Sequence, residues 1–159
     1  MSVEKAMAHL AGMGLDGKVR IFDQSSATVE LAAQALGCEP ARIAKSLTFM
    51  VDGAAVMILA AGDMRIDNGK YKAEFGTKAK MLSAAEVDEF IGHSVGGVCP
   101  FGINAGVRVF LDESLKRFDV VFPACGGSNT AVELTIAELE KASGFEKWVD
   151  VCKAPNKEG

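Results

Sequence analysis

The sequence predicts an α+β protein, with a mixed β-sheet that curls partly into a barrel and helices packed around it. Apolar residues recur at helical spacing in some segments, whereas other short segments alternate or are apolar throughout, as strands are. Strands and helices do not follow the regular alternation of a doubly wound sheet. The 159 residues fit a single domain over positions 1–159, and residues 154–159 are expected to form a frayed tail.

Helices are predicted from apolar stripes and from their end signals. The stripe over residues 2–11 predicts the first helix. A second helix is expected to begin at a cap formed by Ser25 or Ser26 and to end at Gly37. A short third helix is expected over residues 67–75, where an acidic cap precedes it and a glycine follows it.

Two capping boxes open the last two helices, at residues 83–86 and 135–138. In such a box the first and fourth side chains each accept a hydrogen bond from the other's backbone N–H group. The last helix is expected to continue to about residue 143. In the helix after the first box, the residues that should face the core are Val87, Phe90 and Ile91.

Strands are predicted from alternation and from short apolar runs. Lys45 begins an alternating segment and shares a face with the apolar residues Leu47, Phe49 and Val51. Asp52-Gly53 is a two-residue hairpin signal, and the run 54–61 after it is apolar on both faces, as in a central strand. The other strands are expected over residues 19–22, 107–111, 118–122, 130–134 and 148–151.

Composition restricts the class of protein. With 17 basic and 21 acidic residues the net charge is −4, which argues against a general nucleic-acid coat protein. The longest apolar run is far shorter than the ~20 residues that span a bilayer, and no signal peptide is visible. A cytoplasmic protein with no membrane partner is therefore expected. Four cysteines without a Cys-x-x-Cys pair, and two histidines, predict no metal site and no disulfide framework. No cofactor is expected.

One segment departs from the overall negative charge. Between Arg65 and Lys80, five basic and two acidic residues give a local charge of +3. Such a run forms either a solvated helix face or a patch that contacts the phosphates of a nucleic acid. The candidate tRNA-binding residues in this basic patch are Lys70, Lys72, Lys78 and Lys80.

Lys45 is the first candidate for chemistry. It stands at the head of a strand and at the edge of an apolar face, where two explanations apply. The stem can pack on the apolar face while the ammonium reaches water at the strand end. Alternatively, the ammonium is partly desolvated and points into a pocket, where its charge acts on a substrate with little screening.

Two glycine-rich segments, residues 96–102 and 124–130, are further candidates. Three glycines and a proline in the first segment fix an unusual backbone path and allow a ligand to approach closely. Cys99 with His93 as its base would form a nucleophile pair, but nothing in the sequence orients one towards the other. Consecutive N–H groups at the glycine pair of the second segment can form an anion-binding nest. A structural loop explains either segment equally well.

Four short motifs are more specific together than any one of them is alone. They are Arg42-Ile43-Ala44-Lys45-Ser46-Leu47, Ala61-Gly62-Asp63-Met64-Arg65-Ile66-Asp67, Gly96-Gly97-Val98-Cys99-Pro100-Phe101-Gly102, and Gly126-Gly127 before Val132-Glu133-Leu134. In this order they resemble the YbaK family, whose members are aminoacyl-tRNA deacylases related to the editing domain of bacterial prolyl-tRNA synthetase. The resemblance extends from about Val19 to Val151.

The resemblance implies an enzyme that hydrolyses, in trans, the ester bond of a mischarged aminoacyl-tRNA. The implied substrate is the 3′ acceptor end of tRNA(Pro) carrying a small non-cognate amino acid, and the implied partner is prolyl-tRNA synthetase. Members of this family use no metal, and the substrate itself, such as its terminal ribose hydroxyl, helps to activate the water. The family editing domain would cover the whole chain.

The resemblance also assigns roles to individual residues. Lys45 matches the family's essential lysine, and the amides of Gly126 and Gly127 are implied to steady the developing oxyanion, so these three are the implied catalytic residues. Gly96 and Pro100 match the Gly-x-x-x-Pro loop that shapes the amino-acid pocket. The implied substrate-binding residues are Ser46, Gly96, Gly97, Val98, Cys99, Pro100, Phe101, Gly102, Ser128 and Asn129.

Two positions depart from the family pattern and leave the rejected amino acid open. Ser46 follows the lysine where relatives often carry Asn or Thr, and Cys125 precedes the glycine pair where the cysteine-specific members carry Ser. Alanine, cysteine, serine and similar residues all remain candidates, because one methylene changes discrimination by only ~1–3 kcal/mol. The alternative function is a non-catalytic module that holds a tRNA acceptor end or a synthetase. A small-molecule amidase or esterase is a third possibility.

Overall fold

The computed structural model describes residues 2–154 and confirms the predicted α+β class. A curled six-stranded mixed sheet forms a half-barrel, and the helices pack around it. The helices are α1 (Ser2–Ala11), α2 (Val29–Leu36), α3 (Asn68–Phe75), α4 (Ala84–Glu86) and α5 (Ile136–Ser143). The strands are β1 (Val19–Ile21), β2 (Ile43–Val51), β3 (Ala54–Ala61), β4 (Arg65–Ile66), β5 (Arg108–Asp112), β6 (Val120–Pro123), β7 (Thr130–Val132), β8 (Leu134–Thr135), β9 (Lys147–Val149) and β10 (Cys152–Lys153). Most of the predicted tail, residues 155–159, lies outside the described residues.

The large sheet has the strand order β8-β6-β2-β3-β5-β9. β2 and β3 form the predicted antiparallel hairpin, in which Asp52 and Gly53 both adopt positive φ angles, of 50° and 79°. β3 also pairs in parallel with β5, and seven of its eight residues are buried. The apolar run 54–61 is therefore the central strand that the sequence predicts.

The sheet separates two hydrophobic clusters. β3 contributes Met57 and Leu59 to the larger cluster, and Val56 and Ile58 to the smaller one on the opposite face. Phe49 of β2 also lies in the smaller cluster, in agreement with the predicted alternation of β2. Because both faces of these strands are covered, their sequences are apolar almost throughout.

The predicted cap of α2 is wrong. Its N-cap is Thr28, whose side chain accepts a hydrogen bond from the N–H of Leu31. The hydroxyls of Ser25 and Ser26 instead lie 3.4 Å from the carbonyl oxygen of Ser128 and donate to it. These serines tie the segment before α2 to a distant loop, an arrangement that no local pattern reveals. The predicted glycine at the end of α2 is confirmed.

Both predicted capping boxes form, but the helix after the first one differs from the prediction. α4 ends at Glu86, and the chain continues as a π-helical turn over Val87–Ile91. Val87 and Ile91 are buried as predicted, whereas Phe90 is 37% exposed. The hydrogen bonds of a π-helix join residues five apart instead of four. The wider turn rotates Phe90 away from the core.

One of the predicted strands is divided in the structure, and another is shifted. The segment 130–134 becomes β7 and β8, because β7 pairs with β1 whereas β8 pairs with β6. The strand expected over 148–151 forms as β9, over residues 147–149, and the separate strand β10 follows it and pairs with β4. The sequence predicts neither β4 nor β10, since each has two residues and depends on a distant partner. The other predicted strands form with ends shifted by at most two residues.

We expect Thr28→Ala to lower the free energy of unfolding by about 1 kcal/mol, because it removes the N-cap of α2. Ser25→Ala should lower it by less, since the Ser25 side chain is exposed and caps no helix. Urea unfolding followed by far-UV circular dichroism measures both changes. An equal loss in the two variants would contradict the assignment of Thr28 as the cap.

Candidate active site

A cavity of about 280 Å³ lies beside β2. Val29 of α2 and Phe122 of β6 border it on one side. Gly96 and Val98, from the first glycine-rich loop, border it on another. These elements come from four separate parts of the chain, so the cavity forms only in the folded protein.

The cavity exists because hydrogen bonding along one edge of β2 is interrupted. β6 pairs with β2 only as far as Ala44. Pairing resumes at Thr48, whose carbonyl oxygen accepts from the N–H of Leu82 at 3.1 Å. Between these points lie residues 45–47. Within the described residues, no strand pairs with them along this edge.

Ser46 presents its backbone to this gap. In an antiparallel strand, alternate residues direct both their N–H and their C=O to the same edge. The carbonyl of Thr48 and the N–H of Met50 face this edge, where they bond Leu82 and Lys80, so the backbone groups of Ser46 face it too. The Ser46 hydroxyl is buried and has no hydrogen-bond partner within residues 2–154. Ser46 therefore offers a donor, an acceptor and a hydroxyl at the cavity wall.

Lys45 is, among the described residues, the one cavity-lining side chain that can carry a charge. It is half-buried, and its ammonium donates a hydrogen bond to the carbonyl oxygen of Met64. Burial lowers the pKa of Lys45, and the neighbouring Cys152 and Asp63 partly oppose that change. The ammonium is thus partly withdrawn from water and held by the turn that follows β3.

That turn is itself fixed by Asp63 and Gly62. The guanidinium of Arg117 makes a two-pronged ion pair with Asp63, with N–O distances of 2.6 and 3.1 Å, and this pairing lowers the pKa of Asp63. A Cβ atom on Gly62 would lie 2.1 Å from the carbonyl oxygen of Pro40. Only glycine allows such a close approach, so the motif around Gly62 sets the position of the Met64 carbonyl.

The structure divides the predicted substrate loop. Gly96 and Val98 line the cavity. Cys99, Pro100 and Phe101 are buried behind it and do not line it. Among these five predicted substrate-binding residues, Val98 is thus the one whose side chain can contact a ligand in this cavity.

The amides of Gly126 and Gly127 are already bonded within the protein, which disfavours their implied role at the oxyanion. The Gly126 N–H donates to the carbonyl oxygen of Gly97 at 3.0 Å, and the Gly127 N–H donates to the hydroxyl of Thr130 at 3.1 Å. Both glycines line a second cavity, beside the start of α1. The N–H of Ser46 is an amide that faces the first cavity.

Ser128 and Asn129 do not line the first cavity but hold the segment 22–28 along its side. The N–H of Ser26 donates to the carbonyl oxygen of Ser128 at 2.6 Å. The side chain of Asn129 donates to the carbonyl oxygen of Phe22 at 3.1 Å. In the structure both residues position this segment, and Ser128 also lines the second cavity.

Cys99 and His93 lie side by side, although no sequence pattern orients them. The Cys99 Sγ is 3.5 Å from the His93 Nε2, which in turn is 2.6 Å from the carbonyl oxygen of Phe101. A carbonyl oxygen only accepts hydrogen bonds, so this Nε2 carries a proton and cannot take one from the thiol. Burial raises the pKa of Cys99 to about 12. The pair does not line the cavity and does not form a nucleophile there.

One of the four lysines of the basic patch is engaged in contacts within the protein. Lys70 makes an ion pair with Asp150 at 3.1 Å and donates to the carbonyl oxygen of Cys152 at 3.0 Å. The segment that carries Lys80 continues into Met81, which lines the cavity. Within the described residues, three lysines of the patch are exposed and have no ion pair: Lys72, Lys78 and Lys80.

The sequence does not predict the exposed apolar rim of the cavity. Met81 and Val95 both line it, with 60% and 67% of their surface in solvent. Met81 belongs to the short segment that pairs with β2, and Val95 directly precedes the first glycine-rich loop. No sequence signal marks either residue, because the exposure of an apolar side chain depends on the folded chain.

Within residues 2–154, no group of three or more His, Cys, Asp or Glu side chains is arranged to hold a metal ion. No helix in that range is long and apolar enough to cross a membrane. The candidate site is built from backbone groups, hydroxyls, apolar side chains and one lysine.

The sequence and the fold are those of a known family. The sequence model of the aminoacyl-tRNA editing domain matches residues 23–142, so the chain belongs to the aminoacyl-tRNA editing domain family. This confirms the resemblance drawn from the four motifs.

Three relatives illustrate the relationship. Over 154 residues the chain is 50% identical to the uncharacterized protein YwhH of Bacillus subtilis (strain 168), covering 96% of this chain and 98% of that protein. It is 37% identical over 101 residues to the proline–tRNA ligase of Lysinibacillus sphaericus (strain C3-41), covering 62% of this chain but 17% of that enzyme. The crystal structure of a proposed trans-editing enzyme for prolyl-tRNA synthetase superimposes with a TM-score of 0.86, at 31% identity, covering 96% of this chain and 98% of that one.

We expect iodoacetamide to modify Cys38 in the folded protein at mildly alkaline pH and to leave Cys99, Cys125 and Cys152 unmodified. Burial raises the pKa values of these three thiols to about 12, 11 and 12, so almost no thiolate forms. Burial also raises the pKa of Cys38, but this thiol is only half-buried and the reagent can reach it. Mass spectrometry of the intact protein counts the labels. Denatured protein should take up four, and rapid labelling of Cys99 in the folded state would contradict its assignment as inert.

Proposed function

We propose that this protein hydrolyses, in trans, the ester bond of tRNA(Pro) mischarged with a small non-cognate amino acid, in the cytoplasm. The observation that carries the proposal is the cavity of about 280 Å³ at which the unpaired backbone of Ser46 meets Lys45. Membership of the editing-domain family and similarity to a proposed trans-editing enzyme for prolyl-tRNA synthetase support the substrate class.

The cavity selects the amino acid by size. Its volume is slightly below the roughly 300–1,000 Å³ of pockets that hold drug-sized ligands. Leu82, Val87 and Val98 offer apolar contact to a short side chain, while Ser46 and Thr48 add hydroxyls. Each additional methylene on the amino acid changes the free energy of discrimination at such a wall by about 1–3 kcal/mol.

The proton transfers are assigned to the substrate. None of the described side chains that line the cavity is a His, Asp or Glu that could act as a base at neutral pH. The free hydroxyl of the terminal ribose lies next to the ester in every aminoacyl-tRNA and can accept a hydrogen bond from the attacking water. Water adds to the carbonyl carbon, the bond from that carbon to the ribose oxygen breaks, and the ribose oxygen takes up the proton. The products are the free amino acid and the uncharged tRNA.

The protein contributes fixed charges and dipoles. The N–H of Ser46 donates to the carbonyl oxygen as negative charge develops there, in the place first assigned to Gly126 and Gly127. The Ser46 carbonyl can receive the α-ammonium of the amino acid. Lys45 adds positive potential from a half-buried position, where water screens it less than at the surface.

The rest of the tRNA lies outside the cavity. Met81 and Val95 provide apolar surface at the rim for the terminal ribose and base. Lys78 and Lys80 come shortly before Met81 in the chain, and together with the exposed Lys72 they would provide phosphate contacts. Contact limited to the acceptor end is compatible with a net charge of −4, and prolyl-tRNA synthetase is the partner that would deliver the tRNA.

Deacylation of tRNA(Pro) charged with alanine, cysteine, serine or proline tests the function. We expect hydrolysis of at least one small non-cognate ester and none of the cognate prolyl ester. Lys45→Met should slow single-turnover hydrolysis by about 10²-fold or more, because it removes the charge and keeps a similar stem. Lys141→Ala, an exposed lysine on α5, is the matched control and should react as the wild type does.

Wild-type rates in a folded Lys45→Met variant would contradict the role of Lys45. If the wild type hydrolyses no ester even with added prolyl-tRNA synthetase but still binds the acceptor end, the non-catalytic module replaces the hydrolase.

We expect replacement of Lys72, Lys78 and Lys80 by Ala to raise KM for charged tRNA and to leave kcat nearly unchanged, since these lysines contact phosphates and not the ester. Each lost contact should lower the log–log salt slope of binding by roughly 0.7. The control removes three ion-paired lysines instead, Lys18, Lys116 and Lys147, with the same change in net charge. If both triple variants bind alike, the patch is only a solvated surface.

A further inference from the structure

The helix α1 lies outside the segment that the family match covers, residues 23–142, yet it touches both glycine-rich loops. A Cβ atom on Gly126 would lie 2.4 Å from the carbonyl oxygen of Ser2. A Cβ atom on Gly102 would lie 2.6 Å from the carbonyl oxygen of Lys5. The helix backbone therefore sits directly on the loops, with no room for a side chain between them.

His9 of α1 joins the end of the first loop to α5. The N–H of Gly102 donates to the His9 Nδ1 at 3.1 Å, and the His9 Nε2 lies 2.7 Å from the carbonyl oxygen of Ala142. A carbonyl oxygen only accepts, so Nε2 carries the ring proton and Nδ1 is an acceptor. His9 thus bridges the two elements as a neutral imidazole in one tautomer.

Two further contacts hold the same loop region against α1. The Lys5 ammonium donates to the carbonyl oxygen of Gly92 at 2.8 Å, before the loop. The rings of His9 and Phe101 lie 5.8 Å apart between centroids, and Phe101 is fully buried. The helix is a firm base for these contacts because it is anchored by the fully buried residues Ala6 and Leu10.

We propose that His9 is a positioning residue for editing: its hydrogen bond to the Gly102 N–H fixes the loop 96–102 and thereby the place of Val98 in the cavity wall. The proposal rests on the proposed deacylase function for its effect on turnover. Gly96 and Val98 face the cavity from this loop, while His9 lines neither of the two cavities and cannot contact substrate there.

The effect of His9 should fall on selectivity. The loop has no strand or helix of its own between residues 93 and 107, so its path depends on contacts such as the one to Gly102. A cavity wall that distinguishes two amino acids differing by one methylene loses this selectivity if it shifts by a fraction of a methylene's width. Displacement of Val98 should therefore admit larger amino acids before it abolishes hydrolysis.

Three substitutions separate the two hydrogen bonds of His9. In His9→Asn, the side-chain oxygen takes the place of Nδ1 and can still accept from Gly102. In His9→Gln, the amide reaches the place of Nε2 and can donate to Ala142, but nothing accepts from Gly102. His9→Phe keeps the ring beside Phe101 and loses both hydrogen bonds. Val51→Ala, in the smaller hydrophobic cluster, controls for a general loss of stability.

The first readout is hydrogen exchange at the Gly102 amide, followed by NMR. We expect protection in the wild type, in His9→Asn and in Val51→Ala, and exchange at least about tenfold faster in the Gln and Phe variants. The second readout is the ratio of kcat/KM for the preferred ester to that for an ester one methylene larger. This ratio should be kept by the Asn variant and fall about tenfold in the Gln and Phe variants.

Equal Gly102 exchange in the Asn and Gln variants would overturn the proposal, as would wild-type selectivity in a Gln variant whose Gly102 amide is deprotected. If the Phe variant fails to fold, the Asn and Gln pair decides alone. If the wild type hydrolyses no ester, the proposed function fails, and the exchange data still decide whether His9 fixes the loop.

Discussion

The structure depends on three residues of β2 that lack a neighbour along one edge. A strand inside a sheet normally pairs every backbone N–H and C=O, because unpaired groups are costly away from water. Along one edge of β2, this pairing is interrupted at residues 45–47. The interruption lies between the part of β2 that pairs with β6 and the part that pairs with the segment 80–82. α2 closes one side of the resulting gap and the loop 96–102 another, so the surrounding elements are arranged around a missing hydrogen-bonded neighbour.

The chemistry that this gap supports is electrostatic. Lys45 is the one charged side chain among the described residues that line it, and the cysteine next to a histidine lies behind it with a thiol that burial keeps protonated. The ion pair of Asp63 with Arg117 holds the turn on which the Lys45 ammonium rests. In the proposed hydrolysis, such a site would act through orientation and preorganised dipoles, and proton transfer is assigned to the substrate.

Local signals in the sequence predict most of the fold. The Asp52-Gly53 hairpin, the central strand 54–61 and both capping boxes form as predicted, since each depends on neighbouring residues. Features set by distant partners escape prediction, such as the pairing of β4 with β10 and the interruption of β2 itself. The rotation of Phe90 escapes it because nothing in the sequence marks the π-helical turn. The motifs identify the family and Lys45, but the amides of Gly126 and Gly127 show the limit of carrying roles over by resemblance, because their bonds to other loops are visible only in three dimensions.

β2 and its neighbour β6 are far apart in the sequence, and this separation also affects folding during synthesis. The β2–β3 hairpin is complete once residue 61 has emerged from the ribosome, but β6 begins only at Val120. A nascent chain therefore carries the first residues of β2 without the strand that pairs with them while residues 62–119, more than a third of the chain, are made. Unpaired apolar edges recruit strands from other chains. In the finished protein, the interruption of this edge forms a cavity. In the growing chain, the unpaired part of the same edge is longer and prone to aggregation. Truncation before β6 would leave residues 43–47 without a neighbour along that edge.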